Sequence, residues 1–353
     1  MTFLAYITKG LDHIARGEIQ EKLSGAEIRR VSDKYIVFDA EESNLQDVLG
    51  LRTVDDIHLL LSFQEHGEKP GETDIVQEFP LETLQEARDS IDSFRGLDDR
   101  FSLTVSKYRN PKIDTGSLET ELVDLLENYT GGEKTDNRSS RFDVRAHIEE
   151  ENVLISCRIP ERPLYYRSYW EKGRKGSLKT SIAAALCRLT DPDPGDRLVD
   201  NFCGAGTILC EGKTQDLEPQ GGDIDREAVQ TTHTNMGNLS EEANKNIRKL
   251  DATSTGQPSD YFDLAVSNLP WGKQVELNKV ELYSQAISEY ARILKDDAPV
   301  VLLGKEPELA EKHLRKNFPH HRIESFQLGF LGQTPSVTYA TPENRERNTA
   351  QRL

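Results

Sequence analysis

Arg197-Leu198-Val199-Asp200-Asn201-Phe202-Cys203-Gly204-Ala205-Gly206-Thr207-Ile208-Leu209 is the stretch that decides the fold of this 353-residue chain. It reads as a short apolar strand, a glycine-rich turn and the opening of a helix, the joint at which open α/β sheets collect ligands. Gly204 and Gly206 leave out the side chains that would keep a ligand away from the backbone. The helix that begins behind them offers N–H groups to a carboxylate. A dinucleotide fingerprint needs a third glycine where this chain has Leu209. A carboxylate at Asp200 would also repel a pyrophosphate; it suits a ligand with an amino group, such as the methionine end of S-adenosylmethionine. A glycine-rich turn without a ligand is the competing reading.

Each further strand end carries a residue of the same kind. Gln220-Gly221-Gly222-Asp223-Ile224-Asp225 places Asp223 where it can accept from both hydroxyls of a ribose, with Ile224 against an adenine face. Ile247-Arg248-Lys249-Leu250-Asp251-Ala252 puts Asp251 within reach of an adenine amine, although a lone acid in a loop is more commonly a solvated surface charge. Ser267-Asn268-Leu269-Pro270-Trp271-Gly272 follows the apolar run Phe262–Val266 and suits a flat heterocycle with an exocyclic amine. Trp271 can stack on the ring, and the Asn268 side-chain oxygen can accept from the amine. Pro270 biases Leu269 towards extended backbone, which lets the Leu269 carbonyl serve as a second acceptor. Two such bonds turn the nitrogen lone pair out of the ring plane towards an electrophile. The competing reading is a strand-to-loop turn with a buried tryptophan.

From Leu178 onward helices alternate with short apolar strands at Leu198–Asp200, Gly221–Asp223, Ile247–Asp251, Leu264–Asn268 and Val300–Gly304. That rhythm predicts a doubly wound, Rossmann-like parallel sheet over 175–342, with an antiparallel end from His321–Phe330 and Ser336–Ala340. The N-terminal half predicts an α+β region. Strands are expected at 3–8 and 34–39, a helix over Leu11–Leu23, and a turn-rich break at Gly67–Glu72. Beyond the break come a helix over Leu81–Arg95, a strand at Phe101–Val105, a helix over Leu118–Asn128 and a strand pair at Phe142–Ile148 and Val153–Ile159. The expected domains are therefore 1–66, 67–168 and 175–342, followed by a polar tail over 343–353.

The glycine turn, Gly222-Asp223-Ile224-Asp225 and Asn268-Leu269-Pro270-Trp271-Gly272-Lys273 together resemble the catalytic domain of the THUMP-containing RNA guanine-N2 methyltransferases. Gly176–Leu186 is similar to the helix that precedes the glycine turn in that family, beside the methionine moiety. Gly332–Val337 resembles the closing hairpin of its sheet. Tyr6–Ala15 resembles the start of its ferredoxin-like segment, and Phe101–Val105 through Arg162–Arg167 a THUMP domain. One departure is Asn201, where the family turn usually has proline. The resemblance implies a class I methyltransferase domain that uses S-adenosylmethionine. The donor site it implies is Ser177, Asp200, Cys203, Gly204, Ala205, Gly206, Thr207, Asp223, Ile224, Asp251, Ala252 and Asn268. Asn268, Leu269, Pro270 and Trp271 stand at the reacting amine. It implies a tRNA guanosine as substrate, and the Asn-Leu-Pro-aromatic form favours position 6 of the acceptor stem over position 10. Adenine-N6 methylation uses the same motif logic, and a non-catalytic RNA-binding protein is the reading from a different class.

A net charge of −17 argues against a polyanionic partner at first sight. Exposed charges are screened beyond roughly 8–10 Å at physiological salt, so local charge decides. Between Arg158 and Lys179 the chain carries net +5, with Tyr165, Tyr166, Tyr169 and Trp170 interleaved, a composition suited to phosphates and unstacked bases. Arg167, Arg174 and Lys175 are the expected RNA contacts there. Lys107, Arg109, Lys112 and Arg141 are the expected contacts on the THUMP-like region. No apolar run approaches the ~20 residues of a membrane span, and residues 1–6 lack a signal-peptide pattern. Cys157, Cys187, Cys203 and Cys210 show neither disulfide nor zinc spacing, and Cys203 reads as a packing residue. The expectation is a cytoplasmic monomer that binds tRNA and needs no metal.

Overall fold

The computed structural model describes residues 1–41, 45–135, 142–270, 279–329 and 332–343. The chain divides into two compact units, the first from residues 1–6, 19–51 and 55–164, the second from 7–18, 52–54 and 165–353.

The first unit is built on β1 (Thr2–Tyr6), β2 (Glu27–Val31), β3 (Tyr35–Asp39), β4 (Asp56–Glu65), β5 (Phe101–Tyr108), β6 (Phe142–Glu149) and β7 (Asn152–Arg158). They form one sheet in the order β2-β3-β1-β4-β7-β6-β5, antiparallel except for the β5–β6 pair. Along β6 burial alternates strictly, with Phe142, Val144, Ala146 and Ile148 inward, the two-residue period of a half-covered sheet. Helix α1 (Asp12–Lys22) follows β1, and α2 (Glu72–Gln77), α3 (Leu81–Arg95) and α4 (Thr115–Thr130) follow β4 and β5. In α3, Leu84, Ala87 and Ile91 are buried on one face, and in α4 Leu118, Leu122 and Leu126 do the same. The Asp114 carboxylate caps α4 by accepting from the N–H groups of Gly116 and Ser117. β4 was not among the strands expected from sequence. It ends at the expected boundary near residue 66 and pairs with β7, so the two expected N-terminal domains share one sheet.

The second unit contains α5 (Thr180–Arg188), β8 (Arg197–Asp200), α6 (Thr207–Lys213), β9 (Glu218–Asp223), α7 (Arg226–Gly237), α8 (Glu241–Asn244) and β10 (Ile247–Lys249). β11 (Leu264–Asn268), α9 (Lys279–Ile293), β12 (Val300–Gly304), α10 (Pro307–Asn317), β13 (His321–Gln327) and β14 (Ser336–Pro342) complete it. The sheet order is β10-β9-β8-β11-β12-β14-β13. β10 through β12 are parallel, while β14 runs antiparallel to both its neighbours. Successive residues feed two cores. Leu198, Leu264, Val266, Val301 and Leu303 join α5, α6 and α7 on one face, and Val199, Ala265, Val300 and Leu302 join α9 and α10 on the other. Burial on both faces is why these strands read as unbroken apolar runs. The chain reverses its winding between β8 and β11, and a switch point of that kind opens a crevice at the carboxyl ends of the strands. The expected third strand stops at Lys249, so Asp251 lies in the loop beyond it.

Candidate active site

The turn after β8 is held open by its glycines. Gly206 has φ 81°, and a Cβ there would stand 2.6 Å from Thr232 Cγ2 of α7. Gly221 sets the spacing of the next strand, since a Cβ on it would meet the Asp200 carbonyl at 2.0 Å. Only a glycine lets β9 lie this close to β8, and the result is that Asp223 arrives beside the turn. Its carboxylate accepts from Gly204 N at 3.0 Å and from Asp225 N at 2.9 Å, one bond to each oxygen. These fix the carboxylate and leave a further lone pair on each oxygen.

Asp200 is 1% exposed and accepts from Ser267 Oγ at 2.6 Å and Phe202 N at 3.0 Å. Ser267 meets Tyr290 OH at 2.5 Å, and that hydroxyl accepts from Asn201 N at 3.1 Å. Burial pushes the Asp200 carboxyl up to about 7, against the bonds from Ser267 and Phe202; nearby Asp223 raises it further. Among the described residues no cation stands beside it, and a buried acid of that kind can accommodate a ligand ammonium. Cys203 is buried with its thiol pushed well up by burial and packs against Thr232 Oγ1 at 3.4 Å, so it stays a neutral packing group.

A cleft of about 510 Å³ is lined by Asn201, Gly204, Asp223, Ile224, Asp225, Asp251, Ala252, Asn268, Leu269 and Pro270. A smaller recess of about 70 Å³ is lined by Ser177, Leu178, Asp200, Cys203, Gly204, Ala205, Thr207 and Asn268. Ile224 is 63% exposed, an apolar side chain left at the wall of a cleft. Asp251 accepts from Thr253 N at 2.9 Å and Thr253 Oγ1 at 2.7 Å, which fixes its carboxylate in a tight turn. Asn268 ends β11, and Leu269 N donates to Leu303 O of β12 at 2.9 Å. Every residue expected in the donor site thus lines the cleft or its recess except Gly206, which stands behind the turn. Trp271 and Arg141 lie outside the described residues.

The basic segment divides differently from its reading in the sequence. Arg167 is not a phosphate contact. Its side chain is 7% exposed, and its guanidinium donates to Glu211 at 3.0 Å and to the Arg52 carbonyl at 2.7 Å. Tyr169 is likewise buried and donates to Glu211 at 2.6 Å, while Arg52 reaches the same carboxylate at 2.8 and 3.0 Å. Glu211 is fully buried, and three donors on long side chains satisfy it. Arg174 pairs with Asp225, and Arg174, exposed Lys175 and Gly176 line the cleft itself. In the first unit, Lys107 donates to the Ile113 carbonyl, Arg109 meets Glu150 at 3.4 Å, and Lys112 meets Glu68 at 3.8 Å. The Arg109 and Lys112 pairs are exposed, and such pairs hold a cation only weakly.

Sequence reasoning missed Asn201 as a polar group of the cleft. It is 1% exposed and, among the described residues, both polar atoms of its carboxamide have no partner, an arrangement costing about 1–3 kcal/mol while it lasts. The available signal was an amide where the family turn has proline, next to the acid. Among the described residues no cluster of His, Cys, Asp or Glu fits a metal, and no helix is long and apolar enough to cross a membrane.

Residues 167–334 match the family described as the RMKL-like methyltransferase domain. Among curated relatives, the U6 snRNA (guanine-N(2))-methyltransferase THUMPD2 of Mus musculus is 25% identical over 73% of this chain and 47% of its own length. The tRNA (guanine(6)-N(2))-methyltransferase THUMP3 of Mus musculus is 23% identical over 89% of this chain and 83% of its own. The chain spans 35–47% of the length of the THUMPD2 relatives it matches. The crystal structure of TrmN from Thermus thermophilus superposes with a TM-score of 0.77 at 21% identity, covering 97% of this chain and 100% of that one. At that identity the likeness speaks for the fold.

Fold and cleft together define a class I methyltransferase domain preceded by an α+β region. Residues 167–334 carry the RMKL-like methyltransferase domain, and the chain is similar to THUMP-domain guanine-N2 methyltransferases.

Proposed function

We propose that this chain methylates the N2 amine of a guanosine in tRNA, at position 6 of the acceptor stem, acting as a cytoplasmic monomer with S-adenosylmethionine as donor. The observation that carries the reading is one cleft lined by both Asp223 and Asn268-Leu269-Pro270, a ribose-type carboxylate beside an amine-type motif. The residues fit the donor. Asp200 offers a buried carboxylate to its ammonium, Asp223 an oriented carboxylate to its ribose, and Ile224 an exposed apolar face to its adenine. When bound, the donor supplies an activated methyl on a sulfonium.

This chain's own residues bind and orient. Asn268 and the Leu269 carbonyl take the two hydrogens of the amine, so that the nitrogen lone pair faces the methyl. Positioning of that kind supplies much of the rate for a bimolecular transfer. The target base must leave its helix to bring its amine to Asn268 at the strand end. The proton freed after bond formation passes to water. Lys175, exposed at the cleft, is placed to meet a phosphate of the target strand, and Lys107, Arg109 and Lys112 supply further contacts from the first unit. The position-6 assignment rests on the Asn-Leu-Pro form and on the name of the THUMP3 relative.

Incubation of the purified chain with donor and tRNA transcripts, followed by nuclease digestion and nucleoside mass spectrometry, tests the reading. N2-methylguanosine that disappears when guanosine 6 is replaced supports it. Methyladenosine, or loss of product only when guanosine 10 is replaced, would redirect it. Because the THUMPD2 relatives are named for U6 snRNA, that transcript belongs in the same assay.

A further inference from the structure

Residues 165–179 form a strap that enters the cleft at Arg174–Ser177, and its course is set by helix α7. Asn235 of α7 is fully buried. Its Oδ1 accepts from the N–H groups of Glu171 and Lys172, both at 3.0 Å. Its Nδ2 donates to the Lys172 carbonyl and to the Ala205 carbonyl, both at 2.9 Å. Every hydrogen-bonding position of the carboxamide is therefore used. Ala205 belongs to the glycine turn, so one planar group ties that turn to the strap. Thr232, one turn earlier on α7, donates to Gly204 O at 3.1 Å and adds a second tie to the glycine turn. Upstream, Asn238 donates to Tyr169 O at 3.3 Å and to Glu171 Oε2 at 3.1 Å.

We propose that Asn235 is a positioning residue for the methyl donor: its carboxamide holds the glycine turn and the strap at the spacing the donor requires. The inference rests on the donor reading above. A planar amide fixes both walls at once, because three of its four bonds hold the strap and the fourth holds the turn. Wall spacing acts on a ligand gripped between them and not on the amine held by Asn268. Asn235 therefore sets donor affinity and leaves the transfer step alone.

The experiment is calorimetric titration of the purified full chain with S-adenosylhomocysteine, alongside single-turnover rates on tRNA at saturating donor. Asn235→Asp keeps the oxygen that receives Glu171 and Lys172 but turns a second acceptor towards the Ala205 and Lys172 carbonyls. It is expected to weaken binding about tenfold or more, the loss of one to two buried bonds, with the saturated rate within about threefold. Asn238→Ala, at an exposed position, loosens the strap without touching the turn and is expected to weaken binding about two- to threefold. Hydrogen exchange at Glu171 and Lys172 should stay slow in Asn235→Asp and quicken in Asn238→Ala. Folded Asn235→Asp that binds within twofold of the parent overturns this inference alone, as does a rate loss at saturation with affinity unchanged. Absence of binding by the parent chain overturns the donor reading, and this inference with it.

Discussion

Each unit buries an aspartate at a strand end, and the two have opposite fates. In the first unit Asp56 meets His58 Nε2 at 3.1 Å and Arg158 Nε at 2.8 Å, and Arg158 also pairs with Asp143. Burial alone would raise its carboxyl, but His58 and Arg158 outweigh that and hold it at about 2. In the second unit Asp200 has, among the described residues, a hydroxyl and a backbone N–H as donors, and burial carries it up to about 7. The first cluster is closed. Ser156 stands 3.1 Å from His58 Nδ1, so Asp56, His58 and Ser156 are connected like a hydrolase triad. All three are buried, however, and burial lowers the His58 imidazole against the pull of Asp56. The second cluster lines a cleft and has no cation of its own among the described residues. A balanced buried charge holds a fold together, whereas an unbalanced one at a cleft is available for a ligand.

That contrast predicts stability losses from one cluster and functional losses from the other. The largest effect is expected for Arg158→Ala, which strands Asp56 and Asp143 and should cost about 3–5 kcal/mol in chemical denaturation. A loss below about 1 kcal/mol would show that the first cluster is not the closed pair described. Asn268→Ala should leave stability nearly unchanged yet lower the single-turnover rate on the order of 10²-fold, as deletion of a preorganised polar group does. A full-rate variant would make the Asn-Leu-Pro segment a structural turn. Asp223→Ala should weaken donor binding by about 1–3 kcal/mol, measured by calorimetry; unchanged affinity would remove it from the site.

Titration sharpens the comparison further. Asp200, raised in the fold from 3.8 to about 7, contributes stability that is complete below the unfolded value and lost as pH rises through about 7. Asp56, lowered to about 2, contributes stability present above its unfolded value and lost as pH falls towards about 2. A donor ammonium favours ionised Asp200, so donor affinity should climb with pH towards about 7 and then level. Asp200→Asn should abolish that climb, and a slope that survives it would place the titrating group elsewhere. The smallest effect is expected for Asn201→Ala, which keeps the N–H that serves Tyr290 and deletes an unpartnered amide. Stability should rise by up to about 1 kcal/mol in thermal denaturation; a fall of that size would mean the amide is satisfied in solution.

The sequence alone determined the second unit and most of its cleft. Leu198–Asp200, Gly221–Asp223 and Leu264–Asn268 announce themselves as strands because both faces are buried, and in a doubly wound sheet the residue after each strand falls at one crevice. Asp200, Asp223, Asp251 and Asn268 could be assembled from chain order without any tertiary contact. What only the tertiary structure decided is which polar side chains face inward. Arg167 and Tyr169 look like RNA contacts in a basic, aromatic segment, yet Glu211, 44 residues from Arg167, buries both. Arg52 reaches that same carboxylate across 159 residues, and β4 finds β7 about a hundred residues away. Asn235 joins the strap to the glycine turn in the same non-local way. A local pattern records which way a strand or helix face must point, because that follows from period and burial. It does not record which charge will meet a partner, since the partner's position depends on the packing of elements distant in the chain.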